Sequence, residues 1–364
     1  YDSDPVPFSY DKSQYVQGTR DVLYFQNDPS LLSRLGLSAS KLGDYWPVEK
    51  FVEYSKIDNP AVEFTAFAQT ESPKKLRWFP MKNFRVNIDK QAVLDAGVVA
   101  LADSASIVDH IDWNWQGQAI QKRDLMLIDL IASNDWSRPI YFSTTVGTSA
   151  KSFFWLQKHF RLEGLAYRFV PVFTDVKNGG MDFGSVATEK MYALMVNHEG
   201  EAGKFNFGNM EKQGVYLDET TRRSSFNLRS NYGRLANALV DKGDSAKAIE
   251  TIDFAMEKMP VSKLKYDYFI LSLVEGYFRA GAVGKGREHV NAFAAELEAE
   301  LRYYATFKTT ERSSVNQEVQ SALQYYNMLV RMVIQYEYQN DFSQGNLGQL
   351  DLVITYEELA SLFK

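Results

Sequence analysis

Cysteine is absent from this sequence of 364 residues. Its absence excludes disulfides, thiolate nucleophiles and cysteine-based zinc sites. Long apolar runs are also missing, since a membrane helix needs roughly 18 consecutive apolar residues, and the longest candidates, 93–101 and 269–278, are interrupted by Asp95 and Glu275. No basic segment followed by an apolar one marks a secretion signal at the start. Because the chain begins at Tyr1 and not at a methionine, we expect it to be part of a longer protein.

Basic clusters are scarce as well. The sequence has 40 Lys and Arg residues against 46 Asp and Glu, a formal net charge of −6. Its basic runs are short pairs such as Lys74-Lys75 and Arg222-Arg223. Because nucleic-acid binding depends on clustered Lys and Arg side chains, we expect no nucleic-acid partner.

What the sequence does contain is typical of a globular protein of two or three domains. Its residues are 45% hydrophobic and 14% aromatic, enough to fill a sizeable core. Residues 1–60 are polar and rich in proline, and we expect an irregular segment that packs on the domain after it. Within this segment the pattern predicts a short strand at 21–25, a helix at 30–37 and a loop anchored by Trp46.

Residues 61–221 are predicted to form an α/β domain. Apolar residues alternate at 62–68 and again between 76 and 88, the period of strands. The other predicted elements are a helix at 90–96 capped by Asp89, a strand at 111–115, a helix at 120–131 and a strand at 139–143. Strand, helix and strand in succession favour a mixed or parallel sheet with flanking helices.

Residues 222–364 are predicted to form an all-α helical array. Large apolar and small residues fall at spacings of three and four on two successive helices, separated by Gly243. The residues predicted to pack the two helices together are Tyr232, Leu235, Ala236, Leu239, Ala248, Ile252, Ala255 and Pro260. Short side chains let antiparallel helices approach closely. The pattern resembles the tetratricopeptide repeat, a helix–turn–helix of about 34 residues that ends in proline.

Two further helical pairs follow in the sequence. Residues 270–293 repeat the pattern with Gly281 at the turn and Gly286 in place of the usual alanine. Apolar stripes over 319–333 and 352–363 predict a third pair, which would cap the array.

Three segments carry a resemblance to a known family. They are 134–142 (NDWSRPIYF), 162–172 (LEGLAYRFVPV) and 222–238, which leads into the repeats. Together they resemble the soluble C-terminal region of a bacterial family of multi-pass membrane proteins that carry a domain of unknown function. That family is related to protein O-mannosyltransferases of the glycosyltransferase-C type. The similarity runs from about residue 60 to 300.

This resemblance implies an extracytoplasmic domain, on the periplasmic side, that the rest of the protein tethers to the membrane. The family's transferase chemistry uses a lipid-linked sugar and acidic residues near its first membrane helices, and this chain has no counterpart of that region. The resemblance therefore transfers no catalytic residue to this sequence.

Aromatic residues and one short motif are the candidate binding residues. Flat aromatic faces pair with the apolar faces of sugars, and Trp113, Trp115 and Tyr141 could serve in this way. Asp135 and Arg138 precede a predicted strand, whereas binding residues in α/β sheets gather at the carboxyl ends of strands. Turn formation and core packing therefore stay open as alternative roles for these five residues.

The densest group of ionisable residues is Asp109-His110-Ile111-Asp112. On a strand, His110 and Asp112 share one face, and a histidine with one carboxylate is an incomplete metal site. We therefore expect no metal and no cofactor.

The favoured function is a non-catalytic module that binds a protein or glycan acceptor, through the concave face of the helical array or the groove where the two parts meet. Two alternatives stay open: a carbohydrate-active enzyme using carboxylates such as Asp109, Asp112 and Asp135, and a structural scaffold.

Overall fold

The structure is a computed structural model that describes residues 22–25, 30, 33, 43–56, 63–66, 74–134, 136, 138–144, 156–174, 184–197, 207–338 and 350–363. The chain divides into two compact units. Unit 1 comprises residues 1–161 and 167–185, and unit 2 comprises residues 162–166 and 186–364.

The described strands lie between residues 22 and 186. They are β1 Val22–Phe25, β2 Trp46–Pro47, β3 Glu63–Ala66, β4 Lys74–Phe79, β5 Asn83–Asn87, β6 His110–Asn114, β7 Ala119–Gln121, β8 Tyr141–Ser143, β9 Phe160–Glu163, β10 Ala166–Phe169 and β11 Ser185–Val186. They form sheets with the orders β3-β4-β1-β7, β11-β9-β10-β8 and β2-β5-β6.

The α-helices lie mostly in the second half. They are α1 Val48–Lys56, α2 Lys90–Asp95, α3 Lys122–Ala132, α4 Thr188–Tyr192, α5 Glu219–Asp241, α6 Ser245–Lys258, α7 Leu271–Arg279, α8 Val283–Ala305, α9 Thr309–Arg312, α10 Asn316–Glu337 and α11 Asp351–Ser361. Short 3-10 turns occupy Leu101–Ser106, Tyr268–Ile270 and Ser313–Val315, and a π turn, Ala193–Asn197, continues α4.

The sheets of unit 1 are mixed, as the sequence predicts. Strand β1 pairs in parallel with β4 and antiparallel with β7. In the next sheet β5 is parallel to β2 and antiparallel to β6. The predicted α/β fold followed by a helical array is therefore confirmed.

Aromatic rings fill the core of unit 1. Phe51 contacts Phe79 and Phe84 with ring centroids 4.8 Å apart in both cases. The ring of Trp46 lies 4.8 Å from that of Phe79. Phe51 belongs to α1, a helix within the segment predicted to be irregular. The sequence pattern did not indicate this helix, because Pro47 and the charged residues 49 and 50 at its start obscure the periodicity of its apolar residues. The prediction of a helix at 30–37 falls almost entirely outside the described residues.

Local signals of the sequence agree with the observed ends of α2. The side chain of Asp89 accepts hydrogen bonds from the backbone N–H groups of Gln91 and Ala92, as an N-cap does. Gly97 follows the helix with a φ of 62°, a conformation that glycine adopts without strain.

Unit 2 is a series of helical pairs. Helices α5 and α6, α7 and α8, and α10 and α11 contact each other, and α7 and α10 also pack on the preceding pair. Gly243 and Gly281 turn the chain within the first two pairs, with φ angles of 83° and 85°. Pro260 follows α6, where its missing N–H would interrupt a longer helix.

Most of the residues predicted to pack the first pair are buried. Seven of them are at most 1% exposed: Tyr232, Leu235, Ala236, Leu239, Ala248, Ile252 and Ala255. Pro260 is half-buried. The packing is close enough that a β-carbon on Gly276 of α7 would lie 2.9 Å from Ile252.

Residues 186–221 belong to the helical unit, which differs from the predicted boundary at residue 222. The hydroxyl of Tyr232 donates to the backbone oxygen of Met195 at 2.8 Å. The ammonium of Lys242 donates to the hydroxyl of Thr188 at 2.7 Å. These contacts fix α4 and its π turn on α5. No described helix is long and apolar enough to cross a membrane.

Candidate functional site

A groove of about 810 Å³ opens in unit 2 between α8, α10 and the loop that precedes α7. Two residues of that loop line it, together with the C-terminal half of α8 and the N-terminal half of α10. The lining residues are Lys265, Tyr266, Phe293, Glu296, Leu297, Ala299, Glu300, Gln317, Glu318, Ser321, Ala322 and Tyr325. Its volume is within the range of ligand sites in proteins.

The floor of the groove is apolar and aromatic. Phe293 of α8 is 3% exposed, and its ring stacks on that of Tyr266 with centroids 5.1 Å apart. On the other side the ring of Tyr325 lies 6.4 Å from that of Phe293. The floor therefore joins α8, α10 and the loop before α7.

The rim of the groove is acidic. Glu296, Glu300 and Glu318 are exposed at its edge, and Lys265 is the cation among the described lining residues. Glu296 and Glu300 are one helical turn apart on α8, so their side chains project from the same face. The rim carries a formal charge of −2 at neutral pH.

The rim carboxylates contribute to the raised pKa values of two tyrosine hydroxyls: Tyr266 lines the groove, and Tyr304 lies one helical turn after Glu300 on α8. Burial and the carboxylate of Glu300, which accepts a 2.9 Å hydrogen bond from the hydroxyl of Tyr304, raise the pKa of Tyr304 to about 12. Burial, followed by the charges of Glu296 and Glu288, raises the pKa of Tyr266. Both phenols stay protonated at neutral pH and can donate hydrogen bonds.

Buried polar contacts hold the loop behind the groove. The guanidinium of Arg229, which is fully buried, donates to the backbone oxygens of Lys265, Met259 and Leu264, the first at 2.7 Å and the second at 3.1 Å. One of its nitrogens, Nη1, lies 3.8 Å from Oδ1 of Asp267. Because three carbonyls of this loop share one side chain, the position of Tyr266 depends on Arg229.

A second set of contacts orients Tyr266. Its hydroxyl lies 3.0 Å from Nδ1 of His289, and the His289 ring stacks on Tyr277 with centroids 5.8 Å apart. The hydroxyl of Tyr277 donates to Asp253 at 2.7 Å. Burial lowers the pKa of His289, so its neutral ring is favoured as a partner for Tyr266.

Two of the predicted binding residues, Trp113 and Trp115, are buried. They are 5% and 7% exposed. The ring of Trp113 stacks on Phe84 at 5.4 Å, and the indole N–H of Trp115 donates to the backbone oxygen of Ala119 at 3.0 Å. Both rings therefore pack in unit 1 and present no open face to a sugar, because alternation along β6 directs Trp113 inward.

In the motif at 134–139, the described residues Asn134, Trp136 and Arg138 make a turn around the buried ring of Trp136. Trp136 has a φ of 68°, which is uncommon for a residue other than glycine, and its ring stacks on Phe169 at 5.5 Å. Asn134 holds this turn, since its side chain accepts from the N–H of Trp136 and donates to the oxygen of Arg138, both at 3.1 Å. The motif thus has a packing role at Trp136.

The other members of the predicted site have different positions. Arg138 is exposed, and Tyr141 is 43% exposed on β8. Asp135 lies outside the described residues.

Two of the predicted carboxylates of unit 1, Asp112 and Asp109, each pair with a cation. Asp112 accepts two hydrogen bonds from Arg85, at 2.6 and 2.7 Å, on the outer face of β5 and β6. Asp109 lies 2.7 Å from the ammonium of Lys90, which lowers the pKa of this carboxyl. A general acid needs a raised pKa, so Asp109 does not have the features of one. Within the described ranges, no group of three or more His, Asp or Glu side chains could hold a metal ion.

The groove residues escaped prediction, although two signals for them exist in the sequence. Glu296 and Glu300 are four positions apart just after the predicted second pair, and Tyr325 adds an aromatic residue to the third pair. Neither signal is specific, because acidic residues four apart are common on any solvated helix.

One comparison with known proteins gives a match. Residues 1–190 match the family model described as TMEM260-associated domain 2. The match covers unit 1 and ends within α4. No curated protein and no solved structure matches the chain.

Proposed function

Because the chain belongs to the TMEM260-associated domain 2 family, we propose that it is a non-catalytic interaction module of a membrane protein and that it binds an acceptor in the groove of its helical unit. The acceptor is a protein or a glycan. The groove between α8 and α10 is the observation that carries this proposal.

Three properties of the groove support a binding role. Its aromatic floor offers apolar surface, and its rim offers carboxylates, an ammonium and the amide of Gln317, which can fix the orientation of a ligand. Its walls come from successive helical pairs, as do the binding surfaces of helical repeat proteins. The packing of α5 against α6 as a helical pair agrees with such an architecture.

The family link and the sequence resemblance support a place outside the cytoplasm. Segments 134–142 and 162–172 resemble the extracytoplasmic region of membrane proteins related to O-mannosyltransferases. We propose that the chain lies on the periplasmic side and that the rest of the protein anchors it.

The location is tested with Ser224→Cys, which places a thiol on an exposed residue of α5. In the full-length protein this thiol should react with an impermeant maleimide added to intact cells. Labelling of Ser224→Cys only after lysis would contradict this location.

The binding role is tested by filling the groove. Ser321 is half-buried and lines it, so Ser321→Trp should occlude the floor. The matched control is Ser224→Trp, at an exposed residue outside the groove. The purified chain and both variants are applied to an immobilised octapeptide library and a glycan microarray.

We expect ligands that the parent chain and Ser224→Trp bind equally and that Ser321→Trp no longer binds. Circular dichroism should show equal helix content in all three proteins. If Ser321→Trp retains every ligand, or if no peptide or glycan binds the parent chain, the groove is not the acceptor site.

A further inference from the structure

Most carboxylates that bond across the helical unit have a basic partner. Between helices, Asp253 pairs with Lys285 at 2.7 Å and Glu337 with Arg287 at 3.0 Å. Asp241 also pairs with Arg279. Along single helices, Glu219 and Glu298 pair with an arginine four residues away.

The three glutamates of the groove differ from these. Within the described residues, no Lys, Arg or His nitrogen lies within 4.0 Å of the carboxylates of Glu296, Glu300 or Glu318. Lys265, on the same rim, is also farther than this from all three. Three exposed carboxylates around one cavity repel each other, and a bound cation would relieve that repulsion.

Resting on the proposed function, we propose that the groove takes a Lys- or Arg-rich segment of extended polypeptide. The three unneutralised carboxylates on the rim and the tyrosine rings on the floor are complementary to basic side chains in charge and in shape. This assigns the acceptor of the groove to a protein and not to a neutral glycan.

The spacing of the carboxylates suits an extended chain. Side chains four residues apart on a helix are about 5–6 Å apart at their β-carbons. Alternate residues of an extended peptide are about 6.6 Å apart and point to the same side. Two basic residues at positions i and i+2 can therefore face Glu296 and Glu300, while Glu318 of α10 contacts the peptide from the opposite wall.

The rings provide the second contact for each basic side chain. Tyr266 and Tyr325 are half-buried in the lining, and a cation within about 6 Å of a ring centroid is attracted to its face. The methylene groups of Lys or Arg can cover Phe293 and Leu297 while the charged group reaches the rim. Acidic and neutral peptides lack these contacts.

The test uses three fluorescein-labelled octapeptides in anisotropy titrations. They alternate alanine with lysine, with serine or with glutamate. The groove variant is Glu296→Gln, Glu300→Gln and Glu318→Gln together, and the matched control is Glu53→Gln, Glu257→Gln and Glu357→Gln together. The two triple variants change net charge equally, and all six glutamates are exposed.

We expect the parent chain to bind the lysine octapeptide more tightly than the other two. The groove variant should weaken this binding about tenfold at 50 mM NaCl, and the control variant less than about twofold. The difference between the variants should shrink at 500 mM NaCl, since salt screens exposed charges.

Two results would contradict the proposal that the groove binds a cationic peptide. One is equal weakening by both triple variants, which would indicate general charge attraction. The other is tighter binding of the serine or glutamate octapeptide; if Ser321→Trp then abolished that binding, the groove would remain a binding site for another class of ligand. If no octapeptide, library peptide or glycan depends on Ser321, the proposed function fails as well.

Discussion

Ser272 of α7 lies so close to Gly233 of α5 that a β-carbon on Gly233 would come within 2.0 Å of the Ser272 hydroxyl oxygen. The same β-carbon would lie 2.8 Å from Cβ of Ser272 and 3.2 Å from its backbone carbon. A rotation of the hydroxyl alone cannot relieve this overlap. The two helical pairs therefore approach each other through a glycine, and the distance between them depends on it.

Gly233→Ala should destabilise the helical unit by about 1–3 kcal/mol, because overpacking outweighs the higher helix propensity of alanine. The measurement is urea denaturation followed by circular dichroism. Gly284→Ala is the control, since a β-carbon there meets nothing within 4 Å and the helix gains an alanine. A Gly233→Ala protein as stable as the Gly284→Ala protein would contradict this account.

Arg229→Met should lower the free energy of unfolding by about 3 kcal/mol or more. The variant keeps the length of the side chain but leaves the carbonyls of Lys265, Met259 and Leu264 without their buried donor. Arg222→Met removes the same charge from an exposed position of α5 and should change stability little. Equal thermal unfolding midpoints for the two variants would show that Arg229 does not hold the loop.

Asp267 gives the helical unit a dependence on pH. Burial raises the pKa of its carboxyl to about 6, and the charge of Arg229 offsets only part of that effect. Since the folded state then holds the proton more tightly than the unfolded state, this group stabilises the fold fully below its ordinary pKa of 3.8. That contribution is lost as the pH rises through about 6.

Asp267→Asn should remove this dependence while keeping an oxygen that accepts from the N–H of Ile270. The stability of the parent chain relative to the variant should fall by up to about 3 kcal/mol between pH 4 and pH 7.5. Urea denaturation of both proteins at four pH values in this range measures it. A difference that stays constant, or grows with pH, would contradict the raised pKa.

Asn134→Ala should destabilise unit 1 by about 1–2 kcal/mol. The variant loses both hydrogen bonds that hold Trp136 at its positive φ. Asn134→Asp keeps the acceptor for the N–H of Trp136 and loses the donor to Arg138, so its loss should be smaller. Tryptophan fluorescence during denaturation reports on the turn, and equal losses for the two variants would mean that the acceptor contributes nothing.

The helical array could be predicted because the residues that pack its helices recur at regular short spacings in the sequence. Ala236, Ala248 and Ala255 recur at helical intervals, and glycines mark the turns, so each pair is visible without knowledge of the others. The strands of unit 1 were predictable for the same reason, since alternation along residues 111–114 places Ile111 and Trp113 on one face.

The groove could not be predicted in this way. Glu300 becomes part of a site only because Tyr325, 25 positions later in the sequence, lines the same groove, with its ring 6.4 Å from that of Phe293. The solvent exposure of individual aromatic rings could not be predicted either, since composition does not distinguish the buried Trp115 from the half-exposed Tyr141. Helix α1 was missed because Pro47 reads as a loop although Phe51 and Val52 enter the core.

The walls of the groove belong to different helical pairs, because α8 is part of the second pair and α10 begins the third. A ligand that contacts Glu300 and Tyr325 at the same time would link the second helical pair to the third. Ligand binding and the rigidity of this contact are therefore coupled. A change that restricts the sliding of α8 past α10 should tighten binding, and a tightly bound ligand should slow the exchange of amide hydrogens in both helices.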